Sequence, residues 1–441
     1  MSSQTKLLRE RRFLPLFITQ FLGALNDNVL KNALVVLLTF QAAHWTTLKP
    51  ELLANLAAGI FILPFFLFSA TAGQLADKFD KAKLARFVKL LEIGIVLVAG
   101  IGFLLHSLEV LMGALFLLGL HSTLFGPVKY AILPQHLKET ELVGGNALIE
   151  AGTFVAILLG TLLGGLLAGG SGATGWITVV GLGIAVAGYL MSRAIPSAPP
   201  PAPDLVLNLN PLTETWRSIH FARENRSVFL SILGISWFWL YGALFLAQFP
   251  AYTKQILGAG EMAVTLLLAV FTLGIGIGSL LCERLSGGRV ELGLVPLGSI
   301  GLTLFGLDLA FASPAGMSVA APLGALALLT QPGTWRILAD LLLVGLFGGL
   351  FIVPLYALVQ QRSSESHRAR VIAANNIFNA LFMVIGALSA ALLLSSGLSI
   401  PTLFGVAAIC NAAVAVYIYG LVPEFRERFA VWLKLRSKSE S

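Results

Sequence analysis

Charge is scarce in this chain. Only 12% of its 441 residues are Asp, Glu, Lys or Arg, against 57% hydrophobic, and a soluble domain of that composition has more apolar surface than its interior can hide. Lipid is the expected solvent for most of it. Cysteine is equally rare: Cys282 and Cys410 form no CxxC or other ligand pattern, so no metal or redox role is assigned to them. The histidines, such as His106 and His121, make no metal pair at helical spacing. None is followed five positions later by an aspartate, the spacing of a large glycerolipid acyltransferase class. No lysine follows a glycine, which excludes a P-loop and with it ATP-driven work by this chain alone. An enzyme is not expected, and neither is a cofactor or a metal.

What is abundant is long apolar runs. Stretches of roughly 20 residues, enough to cross about 30 Å of hydrocarbon, recur near 13–40, 51–76, 84–106, 108–133, 141–168, 174–194, 227–253, 261–285, 291–313, 336–358, 369–396 and 400–422. They are unbroken rather than alternating, which selects helices over a β-barrel. The expected fold class is an all-α polytopic membrane protein with 12 transmembrane helices in two six-helix halves. The net charge of +7 would suit nucleic acid, but its placement speaks for topology. Most Lys and Arg, including Lys78, Lys81, Lys83, Arg86 and Lys89 after the second run, fall on one alternating side. Lys49, Lys254 and Arg336 fall on the other, and Lys31 lies inside a span. That asymmetry predicts both termini in the cytoplasm, with the basic loops meeting anionic membrane lipids and no nucleic acid as partner.

Five prolines between Pro196 and Pro203 interrupt the helical pattern. They divide the chain into an N-terminal bundle 1–195, a linker and amphipathic surface helix 196–226, a C-terminal bundle 227–423 and a basic tail 424–441. The bundles echo each other. Gly119, Pro127, Tyr130 and Gln135, followed by Asn146, reappear as Gly345, Pro354, Tyr356 and Gln360, followed by Asn375 and Asn379.

Polar groups inside the membrane are costly unless they face a cavity or a partner, so they mark candidate sites. Gln20, Asp27 and Lys31 share one face of the first helix, with Asn28 and Asn32 beside it. Asp27 and Lys31, one turn apart, read either as a structural ion pair or as the lining of a cavity. Lys129 and Tyr130, Asn146, Glu150, Tyr356, Asn375 and Asn379 join the candidates, and so do Trp237 and Trp239, which suit equally a wall touching both apolar and polar parts of a ligand and a helix anchor at the membrane interface. Glu92 reads equally as the partner of a neighbouring cation. Gly73, Asp77, Lys78 and Lys81 match the loop signature of the major facilitator superfamily, with Asp80 where a second glycine is expected. Glu283 and Arg284 form a degraded counterpart. A carboxylate and cations at facing helix ends can act as a conformational latch, the other reading being an ordinary charged loop.

The blocks Phe21–Asn28, Gly126–Leu133, Asn146–Glu150 and Val353–Gln360 resemble the bacterial lysophospholipid transporter family of that superfamily. The first of them is similar to the transporter part of fused acyltransferase/acyl-ACP synthetase proteins. The resemblance implies a flippase in the bacterial inner membrane that moves lysophosphatidylethanolamine-type lipids from the outer to the inner leaflet. It also implies a functional partnership with an acyltransferase/acyl-ACP synthetase, and polar cavity positions at Asp27, Lys129 and Glu150. No basic residue lies between Arg226 and Lys254, where some relatives carry an arginine, so headgroup recognition is expected at Lys31 or Lys129. Two other readings are a proton- or sodium-coupled exporter of small amphiphiles and a non-transporting partner of a lipid acyltransferase.

Overall fold

The computed structural model describes residues 3–40, 50–170, 172–314 and 323–439; Lys49 of the topology reading lies outside them. The helices are α1 (Ser3–Leu7), α2 (Leu14–Phe40), α3 (Pro50–Lys78), α4 (Lys81–Leu104), α5 (Leu108–His136), α6 (Leu142–Ala168), α7 (Ala173–Ser192) and α8 (Pro211–Arg223). There follow α9 (Arg226–Gln255), α10 (Glu261–Ser286), α11 (Leu294–Ala312), α12 (Ala325–Leu329), α13 (Thr334–Arg362), α14 (Arg368–Ser395), α15 (Ile400–Leu421) and α16 (Glu424–Ser439). Among the described residues, 12 of these are long and apolar enough to cross a membrane: α2 to α7, α9 to α11 and α13 to α15. They coincide with the expected spans within a few residues.

Local chemistry sets the helix ends. The Asp80 carboxylate accepts from the Lys83 amide at 2.9 Å and opens α4, and Ser107 does the same for α5 through Val110. Asn210 followed by Pro211 opens α8, as Ser399 opens α15 ahead of Pro401. Gly287, at φ +64°, closes α10 in the left-handed conformation that favours glycine. The repeated Pro127 and Pro354 lie inside α5 and α13, both helices of 29 residues.

Packing divides the chain into two compact units, and two segments cross the division expected from chain order. The first unit holds Met1–Glu139, Val155–Asn225 and Gln360–Ala380; the second holds Thr140–Phe154, Arg226–Val359 and Leu381–Ser441. Thus α6 and α14 each contribute one end to either unit. In the first unit α3 packs on α5, α4 on α5 and α7, and α2 on α7. In the second α15 packs on α9 and α11. There Gly274 and Gly278 lie against the α13 backbone at Leu342 and Leu346, an approach that only a missing side chain allows. Gly278→Val is expected to lower stability by about 1–3 kcal/mol or more, visible as a reduced unfolding temperature in detergent.

The proline-rich linker is tied to the first unit through its carbonyls. Arg86 donates to Ile195, Lys81 and Gln135 to Pro199, Lys78 to Leu205 and Gln74 to Asn208. Asp80 accepts from Ser197 and the Ala198 amide; burial works to raise its pKa, but these bonds and that of Lys83 hold it below the usual carboxylate range. On α8, Leu212 and Trp216 are exposed, as an amphipathic surface helix requires. The tail, expected only as a basic segment, is helical and folds back on the second unit. Arg428 pairs with Glu291 at 2.6 Å, and the Trp432 indole donates to the Leu285 carbonyl.

Candidate functional site

The polar face of α2 meets polar groups of α4 and α5 at mid-span, about 20 Å along helices that rise 1.5 Å per residue. Asp27 takes its partners from α5 rather than from Lys31. The Ser122 hydroxyl donates to one carboxylate oxygen, and His121 Nδ1 stands 3.6 Å from the other. His121 Nε2 lies 3.3 Å from Glu92, and Lys89 Nζ lies 2.6 Å from the same Glu92 oxygen. The second oxygen of Glu92 accepts from Asn26 at 2.7 Å. Asn26, Lys89, Glu92 and His121 are buried, whereas Asp27 keeps 14% of its side chain exposed. Gly23 makes this possible, because a methyl group there would occupy the place of the Lys89 ammonium.

Lys89 is therefore a correction to the topology reading, which placed it with the loop cations. Glu92, its other oxygen held by Asn26, compensates a charge that a membrane interior would otherwise reject. Glu92 is the cation's partner, one of its two expected readings. Lys31 is not ion-paired with Asp27 among the described residues; its ammonium stands 5.3 Å from the centre of the Phe61 ring. Gln20 is buried on the same helix, and Asn28 and Asn32 donate to backbone carbonyls one turn back. On α5, Lys129 stands over the Tyr130 ring at 4.6 Å.

The first unit also receives the start of α14. Gly126 faces Asn376 closely, and Asn375 is 1% exposed with both amide atoms lacking a protein hydrogen-bond partner; Asn379 is half-buried. Nearby, Asp77 accepts from the Ala369 amide at 3.1 Å and from Arg370 Nε at 3.0 Å, a carboxylate set against the first turn of a helix. Gly73 lets the chains meet there: a Cβ on it would stand 2.9 Å from the Arg370 Cα. The Arg370 guanidinium in turn covers the Phe221 ring of α8 at 4.7 Å. Among the expected latch residues, Lys78 and Lys81 bond linker carbonyls, 2.6 Å and 3.3 Å away. Lys81 also keeps its electrostatic interaction with Asp77. Glu283 is buried near the end of α10, beside Arg284.

The remaining candidates lie in the second unit. Asn146 and Glu150 are buried in α6. Trp237 departs from the expected ligand wall: it is 8% exposed, and its indole donates to Asn411, which donates onward to Ser299 and Thr303. This closed set of hydrogen bonds ties α9, α11 and α15. Trp239 is partly exposed, donates to the Tyr356 hydroxyl at 3.0 Å and stacks on Phe154 at 5.8 Å, giving an aromatic surface with a polar tip.

His121 and Arg370 escaped the reading of sequence as site residues. Their signals were faint: a lone histidine in an apolar run, and an arginine opening a span one turn before the paired asparagines.

Comparison with known proteins agrees with this architecture. The lysophospholipid transporter LplT of Cronobacter sakazakii is 28% identical over 429 residues, covering 94% of this chain and 96% of that protein. The protein of the same name from Escherichia coli is 28% identical, covering 88% and 92%. These are relatives of the kind the sequence blocks resemble. In structure the chain is similar to the transporter FucP in its outward conformation, with a TM-score of 0.70 at 12% identity, over 93% of this chain and 99% of that one. It is similar in the same degree, with a TM-score of 0.70 at 14% identity, to the human organic anion transporter TETRAN, over 93% and 98%. At such identities the likeness concerns the fold, but the family model for the Major Facilitator Superfamily matches residues 16–329, so this multi-pass membrane chain belongs to the major facilitator superfamily.

Proposed function

We propose that the chain is a lysophospholipid transporter that moves lysophosphatidylethanolamine-type lipids from the outer to the inner leaflet of the bacterial inner membrane. Its two halves would expose a central site alternately to either side, and both termini would lie in the cytoplasm. The observation that carries this reading is the polar centre of α2, in a chain similar along nearly its whole length to proteins of that name. Asp27 is the partly exposed carboxylate of the centre, suited to an ammonium headgroup. Lys31, about 6 Å further along the helix axis, keeps its ammonium on the Phe61 ring, suited to the phosphate. A single-tailed lipid can leave its chain in hydrocarbon while this headgroup crosses. Asp77 with Ala369 and Arg370 forms the latch that holds one conformation. Reacylation of the delivered lipid by an acyltransferase/acyl-ACP synthetase is the natural partner reaction.

Vesicles containing the purified protein and fluorescent lysophosphatidylethanolamine test this reading by albumin extraction of the outer leaflet. Faster loss of extractable label than in protein-free vesicles is expected; equal rates reject it. The partly exposed face of Trp239, held from behind by the buried Tyr356, is assigned to the cargo as well. Tyr356→Phe removes the hydrogen bond that orients the Trp239 indole, worth about 1 kcal/mol, so the apparent KM is expected to rise, by up to about fivefold, with kcat little changed. An unchanged KM would return the pair to packing.

A further inference from the structure

The helix α8 turns its polar face to the protein and its apolar face outward. Against α3 it buries Glu214, Ser218 and Ala222 completely. Glu214 meets the charges of Arg217 and Arg370 and, at 3.5 Å, the Asn208 amide, but its Oε1 has no hydrogen-bond partner, and neither has the Ser218 hydroxyl. Burying such atoms unpaired opposes docking. Outside, Val206, Leu209, Leu212 and Trp216 are each at least 68% exposed, and Arg217 and Arg223 are exposed beside them. The exposed carboxylates nearby are Asp204, in the linker, and Glu224, which lies 3.3 Å from His367. With Glu214 turned inward, the outer face is apolar and cationic, the chemistry that enters a layer of anionic headgroups.

The same helix covers the latch. On the Phe221 ring the His367 imidazole stacks at 4.3 Å and the Arg370 guanidinium stands at 4.7 Å, with Arg217 of the same helix at 5.5 Å. Arg370 in turn holds Asp77. Through Phe221 and Glu224, therefore, α8 keeps hold of the segment that opens α14.

We propose that α8 is a clasp on the Asp77–Arg370 latch and that anionic lipid headgroups at the membrane surface release it. When the apolar, cationic face enters the headgroup layer, Phe221 leaves His367 and Arg370, Glu214 and Ser218 reach water, and the latch is free to open. The proposal rests on the reading of that pair as the latch of a lysophospholipid transporter.

The test is transport of fluorescent lysophosphatidylethanolamine by the purified full-length protein, per protein incorporated, in vesicles of phosphatidylcholine alone and of phosphatidylcholine with phosphatidylglycerol. Transport about tenfold faster with the anionic lipid is expected. Leu212→Ser combined with Trp216→Ser, both at exposed positions, is expected to keep the slow rate in either vesicle. Phe221→Ala is expected to be fast in both. Three results overturn the proposal and leave the functional reading standing: a wild-type rate indifferent to phosphatidylglycerol, undiminished stimulation of the surface double variant, or a folded Phe221→Ala as slow as the wild type in phosphatidylcholine. No protein-dependent transport in either vesicle overturns both. If Phe221→Ala does not fold, the wild type and the surface double variant decide alone.

Discussion

Asp27→Asn is expected to reach the membrane and unfold near the wild-type temperature, yet to transport lysophosphatidylethanolamine about ten- to a hundredfold more slowly. The asparagine fills the same volume and still accepts from Ser122, so the fold keeps its packing. What is lost is a charged hydrogen bond to the cargo, of about 1.5–3 kcal/mol. Adding Lys31→Gln is not expected to restore transport, because it takes away the cation assigned to the phosphate as well. Near-normal transport by Asp27→Asn, measured alongside its expression and melting temperature, would reduce the group to scaffolding.

The second large effect is expected at Asp77. Asp77→Ala leaves the Arg370 guanidinium, 5% exposed, without its carboxylate, and Arg370→Ala strands a carboxylate that is fully buried. Each is expected to cost about 3–5 kcal/mol. The double variant should recover part of that stability, since no uncompensated charge remains, while transport stays impaired for want of the latch. A double-mutant cycle on unfolding temperature and transport rate checks both halves of the statement. Single variants as stable as the wild type would show that the pair holds nothing.

These two sites mark where sequence reading succeeds and where it runs out. The spans were legible because each is a local property: some twenty apolar residues in a row, ended by Asp80, Ser107, Asn210 or Gly287. Asp27 was legible because a carboxylate in the middle of such a run is costly wherever it points. Its partners were not. The bond between Asn26 and Glu92 joins residues 66 apart, and that between Asp77 and Arg370 joins residues 293 apart, so neither leaves a trace in local spacing. Helical periodicity paired Asp27 with Lys31, but a cation on an aromatic ring and a carboxylate on a hydroxyl competed successfully with the nearest charge. The linker carbonyls that Lys78 and Lys81 bond were equally hidden, lying more than a hundred residues away in sequence. Lys89, read as a loop cation from its place near other basic residues, is buried because Glu92 one turn later compensates it. Trp237 and Trp239, alike in sequence, part company because one indole finds Asn411 in the core and the other finds Tyr356 at a partly exposed surface.

The central claim concerns the cargo, and one measurement addresses it most directly. Vesicles holding the purified protein are given three labelled compounds in parallel: lysophosphatidylethanolamine, two-chain phosphatidylethanolamine and a hydrophobic organic cation. Transport by a site that reads a zwitterionic headgroup and leaves one chain in lipid predicts protein-dependent movement of the first, well above the other two. Movement of the cation alone, driven by an ion gradient, would contradict the account and identify an exporter of small amphiphiles.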